Sequence, residues 1–215
     1  MKVRNQSLAL ITMLLLGTSS FLGGCATTGM DRSVKTSSSI RDVDSEIRKI
    51  MVQIDATSKS LDSLVVAGNP DLKKTFNAYS DQLDKLDGEG KRVLKRMEEM
   101  KSHSKEYFAE WEKQGVAYKN PEISALSEER RTKLAEIYAR VPASSAGVKS
   151  SYLAYLTNLK EIQSYLSNDL TPKGVEGITP VAKKAVVDMA ALKDSLQPVI
   201  AALDEIKAEL YSGKK

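Results

Sequence analysis

Met97, Met100 and His103 stand at i, i+3 and i+6, a spacing that turns two thioethers and an imidazole toward one side of a helix. Such a donor set suits a soft ion such as Cu(I). Met97 and Met100 also fall on an apolar helical stripe, where methionine ordinarily fills core volume, and His103 lies one place off it at the core margin. Lys91, Arg92, Lys95, Arg96, Lys101 and Lys105 concentrate positive charge on the same segment. Positions 91 and 95, and 92 and 96, are i,i+4 neighbours, so they form a ribbon. Anionic headgroups, phosphates or carboxylates are suitable contacts, at roughly 1 kcal/mol per residue near a membrane surface. The competing description is a solvated face partly neutralised by Glu98, Glu99 and Glu106. Glu98-Glu99 and Glu110/Glu112 read as solvated carboxylates rather than an acid-base pair. His103 is the sole histidine, and Gly88-Glu89-Gly90 lacks the length and strand-to-helix context of a phosphate loop. The expectation is a protein that is not an enzyme and has no bound cofactor.

The single cysteine carries a separate signal. Lys2 and Arg4 precede an apolar run from Leu8 to Leu16, and small residues lead to Leu22-Gly23-Gly24-Cys25. The run is too short to span a bilayer and has the layout of a secretory signal segment. The four residues resemble a bacterial lipobox. That resemblance implies cleavage before Cys25, leaving it as an N-terminus carrying diacylglycerol and an N-acyl chain, a firm anchor. Ala26, where an aspartate commonly retains Gram-negative lipoproteins at the inner membrane, implies the inner leaflet of the outer membrane, facing the periplasm. The expected organisation is a signal peptide over residues 1–24, a flexible tether over 25–39, a helical domain over 40–211 and a basic tail over 212–215.

Composition narrows the class. The 215 residues carry 32 basic and 28 acidic side chains, and loss of Lys2 and Arg4 lowers the formal charge from +4 to +2. Near neutrality gives no electrostatic case for nucleic acid. Aromatics are only 6% of the residues, which suits elongated helices better than a compact enzyme.

The elements are written in apolar spacing. Ile40, Val43, Ile47, Ile50, Ile54, Thr57, Leu61 and Leu64 alternate by three and four, the mark of a coiled-coil helix. Gly68-Asn69-Pro70-Asp71 closes it, with Asn69 as the expected N-cap of the next. That helix carries Leu72, Phe76, Tyr79, Leu83, Leu86, Gly90, Val93, Met97, Met100, Ser104, Tyr107 and Trp111 over residues 71–118, and Gly88 and Gly90 invite a kink or break. After Asn120-Pro121 a third helix sets Ile123, Leu126, Leu134, Ile137 and Val141 on its apolar side. A fourth follows with Val148, Tyr152, Tyr155, Leu159, Ile162 and Leu166. Residues 170–179 read as the longest loop, and a last helix opens at Thr179-Pro180, to be kinked or split by Pro198. The fold expected is all-α, an elongated antiparallel helical bundle or coiled coil of about five helices. Apolar stripes left exposed would call for a second copy of the chain.

Tyr107-Phe108-Ala109-Glu110-Trp111-Glu112, Asn120-Pro121, Arg130-Arg131-Thr132-Lys133-Leu134, Tyr155-Leu156-Thr157-Asn158-Leu159-Lys160 and Tyr165-Leu166-Ser167-Asn168-Asp169-Leu170 resemble segments of a family of Gram-negative helical lipoproteins of unassigned function. The resemblance spans most of residues 40–210 and carries over no functional residue. The terminal Gly213-Lys214-Lys215 resembles the ending of murein-linked helical lipoproteins, in which the last lysine is joined to peptidoglycan; the competing and simpler description is a frayed helix end. The function expected is that of a membrane-tethered spacer or scaffold meeting an envelope protein or peptidoglycan. The alternative is a periplasmic binding module for a small ligand or metal ion near Met97, Met100, His103 and Trp111.

Overall fold

The computed structural model describes residues 29–66 and 68–211. They form α1 (Gly29–Leu64), α2 (Leu72–Gly115), α3 (Pro121–Ser144), α4 (Val148–Asn168) and α5 (Pro172–Tyr211). No strand occurs among the described residues. α1 packs most extensively on α2, while α5 closes against α1 and against α3 and α4, which together line α2. α3 and α4 therefore serve as one leg, and the molecule is an up-down-up-down bundle of four legs. At 1.5 Å per residue the 44 residues of α2 reach about 66 Å.

The stripes explain the packing. All eight members of the α1 series, from Ile40 to Leu64, are buried, Thr57 included. Thr57 is tolerated because its hydroxyl donates to Gln53 O (2.8 Å) and reaches Gln82 O, while Gln53 Nε2 donates to Gln82 O and Oε1, each at 2.9 Å. Tyr79, Leu83, Leu86, Gly90, Val93 and Met100 bury the facing stripe of α2. Ion pairs set antiparallel registers at the surface: Lys193–Asp55 (2.7 Å) and Lys207–Asp44 (3.0 Å) join α5 to α1, and Lys160–Asp87 (2.7 Å) joins α4 to α2.

Six expectations change. Residues 29–39 are not a tether but the first turns of α1. Their small residues suit close packing: Thr36 and Ser39 are buried, and Thr36 donates to His103 O of α2 at 3.4 Å. The hydroxyls of Ser37, Ser38 and Ser39 donate to carbonyls three residues back, so serine does not break the helix there. Residues 172–179 belong to α5, whose start is capped by Thr171, its hydroxyl accepting from Gly174 N at 3.1 Å. Pro180 and Pro198 lie inside a helix that is not split. Both are exposed, as are Glu176 and Asp194, whose carbonyls the missing N–H groups would have engaged, so the lost bonds fall on the solvent side of the helix. α2 runs unbroken through Gly88 and Gly90. Asn69 does not cap α2; Asp71 does, accepting from Lys74 N at 3.0 Å, while Asn69 braces the turn by accepting from Asp71 N at 3.1 Å. Finally, Ile123 and Leu126 face outward, because the buried residues of α3 begin only at Leu134.

Candidate functional site

Leu134, Tyr138 and Val141 seat α3 on the bundle, and Tyr152, Tyr155 and Leu159 seat α4. Between them the leg breaks at Ser145–Gly147, where Gly147 adopts φ 87°. Small residues face α2 around this corner, Ala135 and Ala139 before it and Ala146 within it. Together they leave a cavity of about 640 Å³ between α2 and the α3–α4 corner. Its floor is the bundle core, Ile47, Ile50 and Ile54 of α1 with Leu192, Leu196 and Val199 of α5. Val93, Met97, Met100 and Phe108 form the α2 wall, and Tyr138 faces Phe108 edge-on at 5.2 Å.

Tyr152 closes one end. Its hydroxyl donates to Leu86 O at 3.0 Å, and the ring lies directly on Gly90, where an added Cβ would stand 1.9 Å from the phenol oxygen. Tyr79 makes the parallel bond to Leu159 O at 2.8 Å, so α2 and α4 each accept one tyrosine hydroxyl from the other. Burial pushes the Tyr79, Tyr138 and Tyr152 phenols well above their usual range, so they remain neutral donors. Ser104 donates to Met100 O and Ser145 to Pro142 O. The hydroxyls of Ser104, Ser145 and Tyr152 are thus already engaged with backbone, and apart from the Tyr138 phenol the walls present mainly hydrocarbon and thioether.

The mouth is basic. Lys95, Lys101 and Lys105 of α2 and Lys149 of α4 border it, against the single carboxylate of Glu98. The ribbon read from sequence divides here. Lys91 pairs with Asp87 (3.1 Å), Arg92 with Glu46 (3.4 Å), Lys95 with Glu99 (3.7 Å) and Arg96 with Glu99 (2.8 Å). The hydrogen bond from Arg96 holds the Glu99 carboxyl below its usual range. Lys101 and Lys105, and Lys149 across the mouth, have no carboxylate partner within 4.0 Å among the described residues.

The other candidates are dispersed. Met97 and Met100 line the cavity, but His103 does not; its Nδ1 is buried without a hydrogen-bond partner among the described residues. No group of three His, Cys, Asp or Glu side chains placed to hold a metal occurs among the described residues. Trp111 also stands apart, donating to Ser127 Oγ at 2.9 Å. The lipobox, Cys25, the basic tail and Lys215 lie outside the described residues. Sequence reading missed Ala135, Ala139, Ala146 and Lys149. The available signal was the i,i+4 pair of alanines beside Leu134 and Tyr138, which thins the helix where a bulky stripe would continue.

A four-legged helical bundle with an apolar cleft under a basic rim is thus the class of protein defined by the fold and the site. The chain belongs to the family described as "Protein of unknown function (DUF2959)", which matches residues 30–210. No curated protein and no solved structure matches it.

Proposed function

We propose that this is a non-enzymatic lipoprotein of the bacterial envelope, anchored through acylated Cys25 in the outer membrane and facing the periplasm as a stiff spacer or scaffold. The carrying observation is the exposed apolar surface at the end of the bundle where α1 begins. Met30 and Val34 of α1 stay exposed there, with Val116, Tyr118, Ile123 and Leu126 around the α2–α3 turn. Gly29 abuts Gln114, which puts both groups at one end. A patch of this kind needs a partner phase, and a bilayer reached by a short N-terminal lead is a suitable one. Cys25 precedes Gly29 by four residues, a reach of at most about 14 Å. No helix among the described residues is long and apolar enough to cross a membrane.

Purification from host membranes with intact-mass measurement tests the anchor. A mature N-terminus at Cys25 with acyl mass is expected, and Cys25→Ser should release the protein from the membrane fraction. An unmodified Cys25 overturns the anchor. Crosslinked pull-down of the same preparation should recover an envelope protein or a peptidoglycan fragment, and a fragment joined through Lys215 would make that lysine the attachment point. A second reading, a binding module for a small ligand, is favoured by the cavity beside Met97 and Met100.

A further inference from the structure

We propose that the cavity between α2 and the α3–α4 corner binds a long-chain fatty acid, with its acyl chain inside and its carboxylate at the basic rim to which Lys101, Lys105 and Lys149 contribute. This deepens the binding-module reading and rests on it. Four observations converge on this ligand class.

The interior is predominantly apolar, and of its hydroxyls those of Ser104, Ser145 and Tyr152 are already donated to backbone carbonyls, leaving only that of Tyr138. A polar ligand would therefore lose its hydration without compensation, whereas a hydrocarbon loses nothing. A wall of this composition does not hold ordered water well, since water needs two or more polar partners. The dimensions fit a chain. From Gly90 to Phe108 the α2 wall extends about 27 Å at 1.5 Å per residue. One acyl chain is about 15 Å long, half the hydrocarbon thickness of a bilayer. The volume of about 640 Å³ falls within the usual range for small-molecule sites. Met97 and Met100 give the wall adaptable thioethers, which accommodate a flexible chain without a fixed shape.

Charge selects the head. Lys101, Lys105 and Lys149 have no carboxylate partner among the described residues, while their neighbours on the ribbon are paired. Glu98 is the one opposing carboxylate at the mouth. A compact anionic head is the complement of that rim.

The test uses the full-length protein in host membranes and a 16-carbon fatty acid carrying a photoreactive diazirine and an alkyne. After irradiation, labelled peptides are mapped by mass spectrometry. Label on the segments containing Met97–Phe108 and Ala135–Lys149 is expected. Replacing Lys101, Lys105 and Lys149 together by Gln should reduce it about tenfold, the effect of roughly 1.4 kcal/mol, and Ala139→Trp should abolish it by filling the cavity. The lysine variant alters exposed positions, so it remains informative if the tryptophan variant misfolds.

Label confined to Met30, Val34 and the segment 116–126 would mean chain contact with bilayer alone. It would overturn the proposal while leaving the anchor standing. Equal competition by the matching fatty alcohol, or by a diacyl phosphatidylglycerol, would overturn the assigned head or the single chain. A non-lipid molecule retained through purification would overturn the ligand class yet keep the binding-module reading.

Discussion

At the scale of single residues, two glycines in one helix should behave oppositely. A Cβ at Gly88 would meet only the end of the Arg92 side chain, at 3.8 Å. Gly88→Ala should therefore stabilise the protein by about 0.5–1 kcal/mol, through helix propensity and the reduced freedom of the unfolded chain. A Cβ at Gly90 would stand 1.9 Å from the Tyr152 hydroxyl and 2.1 Å from its ring carbon. The ring must move, breaking its bond to Leu86 O, and overpacking of this kind costs about 1–3 kcal/mol. Gly90→Ala should lower the urea midpoint while Gly88→Ala raises it; the same sign for both would refute the socket. Gly90 was visible in the sequence as a weak member of an otherwise bulky stripe. Its meaning was not, because the residue that fills the gap lies 62 positions along the chain, on α4. The same holds for the cavity: Met97, Met100 and the lysines of α2 were legible, but Ala135, Ala139 and Lys149 acquire a role only once α3 and α4 are laid against α2.

At the scale of elements, periodicity carried the helices and local composition misled at their ends. The stripe from Ile40 to Leu64 is buried throughout because period and helix pitch agree over many turns. Serine and threonine before Ile40 carry no such period, yet they are helical, since their hydroxyls find carbonyls and α2 offers a surface to cover. Between elements, the clasp of α5 on α1 is electrostatic and should be acid-labile. Burial pushes the Asp44 carboxyl up, but the hydrogen bond from Arg48 (3.1 Å) and the ion pair with Lys207 (3.0 Å) outweigh it and leave the group below its usual value. The hydrogen bond from Lys160 does the same for Asp87 between α2 and α4. A carboxyl more acidic in the fold than in the unfolded chain contributes above its unfolded value, near 3.8, and that contribution fades as pH falls through the folded value. Both sites are near the surface, so about 1 kcal/mol or less is expected from each. Asp44→Asn should lower stability by that amount at pH 7 and by much less at pH 3. Urea unfolding at the two pH values measures the difference, and a gap that widens in acid would contradict the clasp.

At the scale of the whole molecule, the one native cysteine makes orientation measurable. If Cys25 is acylated, a cysteine introduced elsewhere is the only free thiol. Val116 is 84% exposed at the end where α1 begins, and Val66 is 55% exposed beside the opposite turn. α2 separates the two ends by about 66 Å. A fluorophore on Val116→Cys should be quenched by lipids bearing a headgroup quencher, while one on Val66→Cys should escape. Quenching of both would show a bundle lying along the bilayer, with its exposed flank rather than its end in contact, and a spacer standing off the membrane would be ruled out. Quenching of neither, in protein whose mass shows acylated Cys25, would mean that Met30, Val34 and the α2–α3 turn are held away from lipid, and their apolar surface would then belong to a protein partner. The upright outcome has a consequence for the cavity as well. Phe108, at its near end, lies seven residues before the last residue of α2, about 10 Å above the membrane-facing tip. Lys105 and Lys101, ten and fourteen residues before that tip, would then stand about 15 and 21 Å from it, on the membrane-proximal half of α2.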